Sequence, residues 1–446
     1  MSTFTHQPRR PFDVNARLLL LVTLWESALV VLLSPLSGSG PLAGLDLPGR
    51  LGLVLDGAGR VGRIIMLYHA LAVPFVAALV YLILDLLPFD EKTPRIVRPA
   101  ITAGYLLTGV GGLGFAYLGG SWIAHGLFIV GLSVSFYAGV VLCVGLFPWR
   151  RDGGSFSWER FAFWLMALFT LISTCIGGAA AAYFGNGFEA FLAEDVVRLE
   201  HTLGHRAIIA HLHIMLTLID IALLLILARV FRLEGRLQTL TMALTAVGTL
   251  VVGFATWSVM VWEGAHKVIN IGSAFLLLPA LLVAFHAFAR LAGAGGPTLA
   301  GKLRALLRDP VRFGMAFELL FVNAVVTVPG VSVAFNLETY RQPAWLEVER
   351  AIAVGHWHVL ATLSAVVALL VVVDRLEVRG LLRQLVGWGV LLGSTLAFVF
   401  VQFYLFHQPG VTVTWPLLFV DVGIGLFLLA LMVLLGAEIK NLFKET

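Results

Sequence analysis

Ala353-Val-Gly-His-Trp-His-Val-Leu-Ala-Thr-Leu-Ser-Ala-Val-Val-Ala-Leu-Leu370 is an apolar run in which the only ionisable side chains are two histidines, His356 and His358. A bilayer core asks about 20 such residues of a helix that crosses it. Side chains two apart on an α-helix point about 200° apart. One helix therefore offers an imidazole to each of two groups, one on either side. An imidazole inside a membrane helix is costly unless something engages it, and neutral imidazole is the commonest protein ligand for haem iron and other transition metals.

The rest of the chain has the same character. Of 446 residues, 59% are hydrophobic and 13% charged, and the mean hydropathy is +0.94. A soluble domain carries roughly 25% charge and 45–50% apolar residues. The chain is thus expected to be an integral membrane protein, and apolar runs of that length point to helices rather than a barrel. The pI of 9.2 does not point to nucleic acid, because the basic residues fall almost wholly in one set of loops. Cys143 and Cys175 lie inside apolar segments, so neither a disulfide framework nor a thiolate metal cluster is signalled. Arg9, Arg10 and Arg17 precede the first apolar run with no small-residue cleavage pattern after it, which predicts an uncleaved first span.

Twelve spans are expected, near 15–36, 63–88, 96–118, 121–148, 158–183, 205–231, 237–262, 268–291, 311–335, 346–373, 381–407 and 412–436. The two termini and the loops after even-numbered spans hold 22 of the 30 Lys and Arg. Lys92-Arg95-Arg98 and Arg375-Arg379-Arg383 are examples. The positive-inside rule then puts both termini in the cytoplasm, and the expected location is the inner (cytoplasmic) membrane of a prokaryote. The whole chain, 1–446, reads as a single transmembrane domain. The connections near 37–62 and 184–204 have room for short surface helices, and Phe188 to Glu200 carries an apolar stripe suited to the interface.

Ten of the 12 histidines fall at or near the outer ends of these spans: His69, His125, His201, His205, His211, His213, His266, His356, His358 and His407. Such a layer suggests bound groups in the outer half of the membrane. There is also an internal period. His69, His213 and His358 are 144 and 145 residues apart and begin spans 2, 6 and 10. Their segments read alike: Tyr68-His-Ala-Leu-Ala-Val-Pro74, Leu212-His-Ile-Met-Leu-Thr-Leu218 and Trp357-His-Val-Leu-Ala-Thr-Leu363. The expected fold is all-α and polytopic, with three pseudo-repeats of four helices and repeat-like units around spans 1–2/11–12, 3–6 and 7–10.

At this level the chain resembles subunit I of the haem-copper oxidase superfamily, nitric oxide reductases included. That family has twelve helices in three pseudo-repeats, and its tenth helix carries a His-x-His motif like Gly355-His-Trp-His-Val-Leu360. The resemblance implies that His356 binds an active-site haem, while His358 and His69 bracket a low-spin haem b. It extends over the whole chain as topology, with residue-level support confined to spans 2, 6 and 10.

The second metal of that family, copper or non-haem iron, is held by a histidine of helix six and an adjacent histidine pair on helix seven. Here helix six offers His211 and His213, and the pair is replaced by Trp262-Glu-Gly-Ala-His266. A site of His213, His266 and Glu263, with His211 or His205, has the mixed ligation that suits non-haem iron. Spans 6 and 7 contain no tyrosine, although oxygen-reducing members use one beside copper. Nitric oxide is then the favoured substrate. Asp220 is the acidic group well inside span 6, a proton relay or a bystander. His125 and His407 suit hydrogen bonds to haem propionates. For Arg206, Arg341 and Arg350, ordinary loop charge is the better reading than propionate pairing.

Glu26, Glu318, Asn323, Gln402 and Asp421 interrupt apolar runs and mark pathways or inter-helix hydrogen bonds, with a proton route at Glu318 and Asn323. Gly111-Gly-Leu-Gly114 has no strand before it and reads as helix packing rather than a nucleotide loop. No Cys-x-x-Cys-His occurs, so a cytochrome c donor is a separate chain, with quinol the other donor considered. Two competing functions remain: an electron-transfer subunit that has lost the second metal, and a secondary transporter.

Overall fold

The computed structural model describes residues 14–36, 60–118, 121–149, 156–184, 203–262, 264–340, 342–406, 408–411 and 413–445. No strand occurs among them. The long helices are α1 (Val14–Leu36), α2 (Arg60–Leu86), α3 (Lys92–Leu118), α4 (Trp122–Gly145), α5 (Trp158–Phe184), α6 (Leu203–Val230), α7 (Gly235–Ser258), α8 (Ala265–Gly293), α9 (Pro310–Phe335), α10 (Leu346–Arg375), α11 (Gly380–Leu405) and α12 (Trp415–Glu445). Among the described residues ten segments, one on each long helix other than α1 and α9, are long and apolar enough to cross a membrane. The chain is a polytopic all-α membrane protein. In a bilayer every backbone amide must be satisfied inside its own segment, which leaves the helix as the solution for such runs. The apolar stripe at 188–200 and most of the connection at 37–62 lie outside the described residues.

Helix ends follow local chemistry. Ser121 caps α4 by accepting from Ala124 N at 3.1 Å. Asp309 caps α9 ahead of Pro310, whose ring needs no amide partner at the first helical position. Large apolar side chains on the outer helices, among them Trp122, Ile123, Phe254 and Phe285, stay exposed because lipid is their partner.

The helices carrying the period sit at the centre. α6 packs against α2, α5, α7, α8, α9 and α10, and α10 packs directly on α2. Of their apolar windows, 67% of α10 and 61% of α6 are buried inside the bundle, against 28% of α4. Their arginine-rich halves are buried without a break over 77–84, 221–228 and 366–374. A helix buried all round has neighbours on every side. This half of the bundle is therefore a close-packed apolar plug, and the histidines lie in the opposite, less tightly buried half.

Ion pairs tie the arginine-rich ends. Arg383 of α11 donates to Asp309 at 3.0 and 2.8 Å and to Asp374 of α10 at 2.8 Å, while Arg312 of α9 donates to the same Asp374 at 3.2 and 3.4 Å. Arg375 pairs with Asp85 of α2, and Arg229 of α6 with Glu159 of α5. The basic loops thus hold neighbouring helices together. Arg383→Ala is expected to destabilise the bundle by about 3 kcal/mol, because it leaves the buried Asp374 with half its cation partners. Unfolding in mixed detergent micelles checks this, and a loss under ~0.5 kcal/mol would show the network to be solvent-screened.

Candidate functional site

The histidines of α2, α6 and α10 meet in facing pairs. His69 and His211 have ring centroids 6.3 Å apart with planes inclined by 20°. His213 and His356 have centroids 6.5 Å apart, inclined by 52°. These spacings exceed van der Waals stacking. His266, at the start of α8, lies within electrostatic reach of His213.

The site's neighbours fix the rings. His211 Nδ1 is 2.9 Å from the carbonyl of Ser173 on α5 and donates to it, since a carbonyl only accepts. Nε2 is thereby left with its lone pair. Ser173 is itself fully buried and clamped, its hydroxyl accepting from Trp257 Nε1 at 3.2 Å. Trp257 stacks on Phe169 with centroids 4.9 Å apart. A Cβ at Gly177 would overlap the His211 ring, so only glycine lets α5 approach there. On the other pair, the His356 ring lies over Gly330 of α9. His69 also meets Phe128 of α4 edge-on at 5.8 Å.

No family model, curated protein or solved structure matches this chain.

The remaining sequence-derived positions separate into those near this layer and those away from it. His358 is exposed, and its Nε2 is 3.0 Å from the hydroxyl of Tyr68, the residue before His69. Tyr68 was not singled out by spacing, although its place beside His69 was the signal. Ser173 and Gly177 had no signal, because neither residue type nor period marks a carbonyl acceptor. His211, His213 and His266 do not converge on one point: His211 turns to Ser173 and His69, and His213 to His356. Among the described residues no group of three or more His, Cys, Asp and Glu forms a preformed metal cluster.

Asp220 stands two turns, or about 10 Å, from His213 on the same face of α6, partly buried and on the plug side. His125 sits between Trp122 and Phe115. Glu263, His201, His407 and Arg341 lie outside the described residues, as do the side chains of His205 and Arg350. At the opposite end, His286 and Arg290 both bond the carbonyl of Phe231, which accounts for His286 standing apart from the layer.

Proposed function

We propose that this protein is a haem-binding membrane oxidoreductase of haem-copper oxidase type, with twelve spans in three groups of four and both termini in the cytoplasm. The observation that carries this reading is the gathering of imidazoles from three mutually packed central helices in one half of the bundle. Their chemistry fits iron. Neutral imidazole is the usual axial ligand of haem b, and a ligating histidine commonly donates its other nitrogen to a backbone carbonyl, as His211 does to Ser173.

His69 and His358 would hold a low-spin haem b, and His356 a second haem. His213 and His266, with His211 or Glu263, would hold non-haem iron or copper opposite it. Bound haem would supply one-electron chemistry, and the proposed reaction is reduction of a small molecule such as nitric oxide. The residues orient the ligand rings through Ser173 and Gly330 and place Asp220 two turns from His213 as a proton donor. A cytochrome c or a quinol would deliver electrons.

A second reading is an electron-transfer subunit without the second metal. It is favoured by His211 turning away from His213 and His266. A reduced-minus-oxidised spectrum of the purified protein, with iron and copper quantified, tests both. Two haems plus one further metal are expected for the reductase. Haem alone would favour electron transfer, and a porphyrin-free protein would overturn both and leave a transporter in front.

A further inference from the structure

At the edge of the plug, α1, α2 and α3 enclose polar atoms that the protein leaves unsatisfied. Glu26 on α1 is 4% exposed, and its Oε2 has no hydrogen-bond partner. Tyr105 on α3 is fully buried, and its hydroxyl has none. The same holds for the buried hydroxyl of Thr23, one turn from Glu26 on the same face of α1. These groups are neighbours. Glu26 Oε1 lies 3.2 Å from the place a Cβ at Gly109 would take, one turn along α3 from Tyr105. Tyr105 is within electrostatic reach of both Glu26 and Tyr81.

The cluster continues in one direction. Towards the arginine-rich end, the Tyr81 hydroxyl donates to Thr102 Oγ1 at 2.6 Å, and Thr102 donates to the carbonyl of the partly buried Arg98 at 2.8 Å. Towards the histidines the seam closes: one turn beyond Gly109, Gly112 lets α3 pack directly on Met66 and Ala70 of α2. Other titratable groups on the surrounding helices are Tyr68 and Asp85 on α2 and the buried Asp421 and Glu438 on α12. Asp85 is already paired with Arg375.

Each buried polar group left without a partner costs about 1–3 kcal/mol, and more for a carboxyl. Three such groups in one seam, lined up with a hydrogen-bonded pair that reaches the bundle end, need a common partner. A buried water makes about three hydrogen bonds to otherwise unsatisfied groups of this kind. We propose that α1, α2 and α3 hold a line of bound water that joins the Arg98 end, through Tyr81 and Tyr105, to Glu26. A proton moves along such a line by forming one O–H bond and breaking another at each oxygen, with no electron transferred, and Glu26 is its carboxyl station. The line depends on the packing of three helices and not on what the histidines bind.

Hydroxyl-radical footprinting of the full-length protein in lipid nanodiscs tests this, because radicals made from internal water oxidise the side chains beside it. Tyr105 and Tyr81 are expected to oxidise at least about tenfold faster than Phe163, an equally buried aromatic in the core. Glu26→Leu should bring Tyr105 down to the Phe163 rate while leaving the exposed Trp122 and Tyr137 unchanged. Glu26→Gln, which keeps the hydrogen-bonding capacity, should leave Tyr105 reactive. Tyr105→Phe deletes a hydroxyl that bonds no protein group and so preserves the packing, and it should slow oxidation at Tyr81. Oxidation of Tyr105 at the Phe163 rate in the unaltered protein, or a rate indifferent to Glu26→Leu, would overturn the proposal. Haem content is unaffected by either result.

Discussion

Protein carrying His356→Ala is expected to lose one haem signal while keeping the other, and His213→Ala to keep both but lose the further metal. His356 and His213 face each other across 6.5 Å from α10 and α6. Mutating outer-shell partners of ligands typically lowers metal affinity by about 10–100-fold. Removing a ligating nitrogen itself should exceed that, so occupancy should fall by more than about tenfold at micromolar protein. His358→Ala would abolish the low-spin band instead, since its exposed ring and Tyr68 stand on the other side of the helix. His286→Ala serves as the control, because that ring bonds the Phe231 carbonyl at the far end. Absorption spectra with metal analysis decide it. Identical spectra for His356→Ala and His358→Ala would remove any division of labour between the two imidazoles.

A second large effect is structural. Gly111→Ala should cost about 3 kcal/mol, the upper part of the range for overpacking. Its Cβ would stand 2.5 Å from Phe128 N, 2.7 Å from Ala124 O and 2.9 Å from Phe128 Cα, all backbone atoms of α4 that cannot rotate away. The same substitution at Gly114, one turn on, meets only the Ala124 methyl at 3.8 Å, an ordinary contact. It should change stability by less than about 0.5 kcal/mol and gain slightly in helix propensity. Thermal unfolding of both variants gives the contrast. Equal effects at the two positions would mean that α3 and α4 separate freely.

Helix existence was legible in the sequence because membrane spans leave a long apolar signature. Each of the twelve expected segments is helical, with ends displaced by a few residues in most cases and most at α12, which runs on to Glu445, and among the described residues ten of them meet the length and hydropathy of a membrane span. The glycine run in α3 was legible as packing for the same reason, residue size being a local property. The partners of the histidines were less so. A period of 144–145 residues picked out His69, His213 and His358 near the starts of three expected spans, but it says nothing about which way each ring rotates. The structure brings His69 to His211 and Tyr68 to His358. Ring direction is set by neighbours such as Ser173 and Gly177 on α5, which carry no pattern of their own. Likewise, Arg375 and Arg383 announced themselves as loop charge, and their pairing with Asp85 and Asp309 depends on contacts far apart in the chain.

The uninterrupted burial over 77–84, 221–228 and 366–374 has an electrical consequence. A low-dielectric slab takes up most of a transmembrane voltage, and one elementary charge crossing 100 mV gains or loses about 2.3 kcal/mol. A charge arriving at the imidazole layer from the nearer aqueous phase traverses little of that drop. One arriving from the arginine face traverses nearly all of it. Traffic from the two faces would therefore respond very differently to membrane polarisation, even if both streams ended at the same atoms.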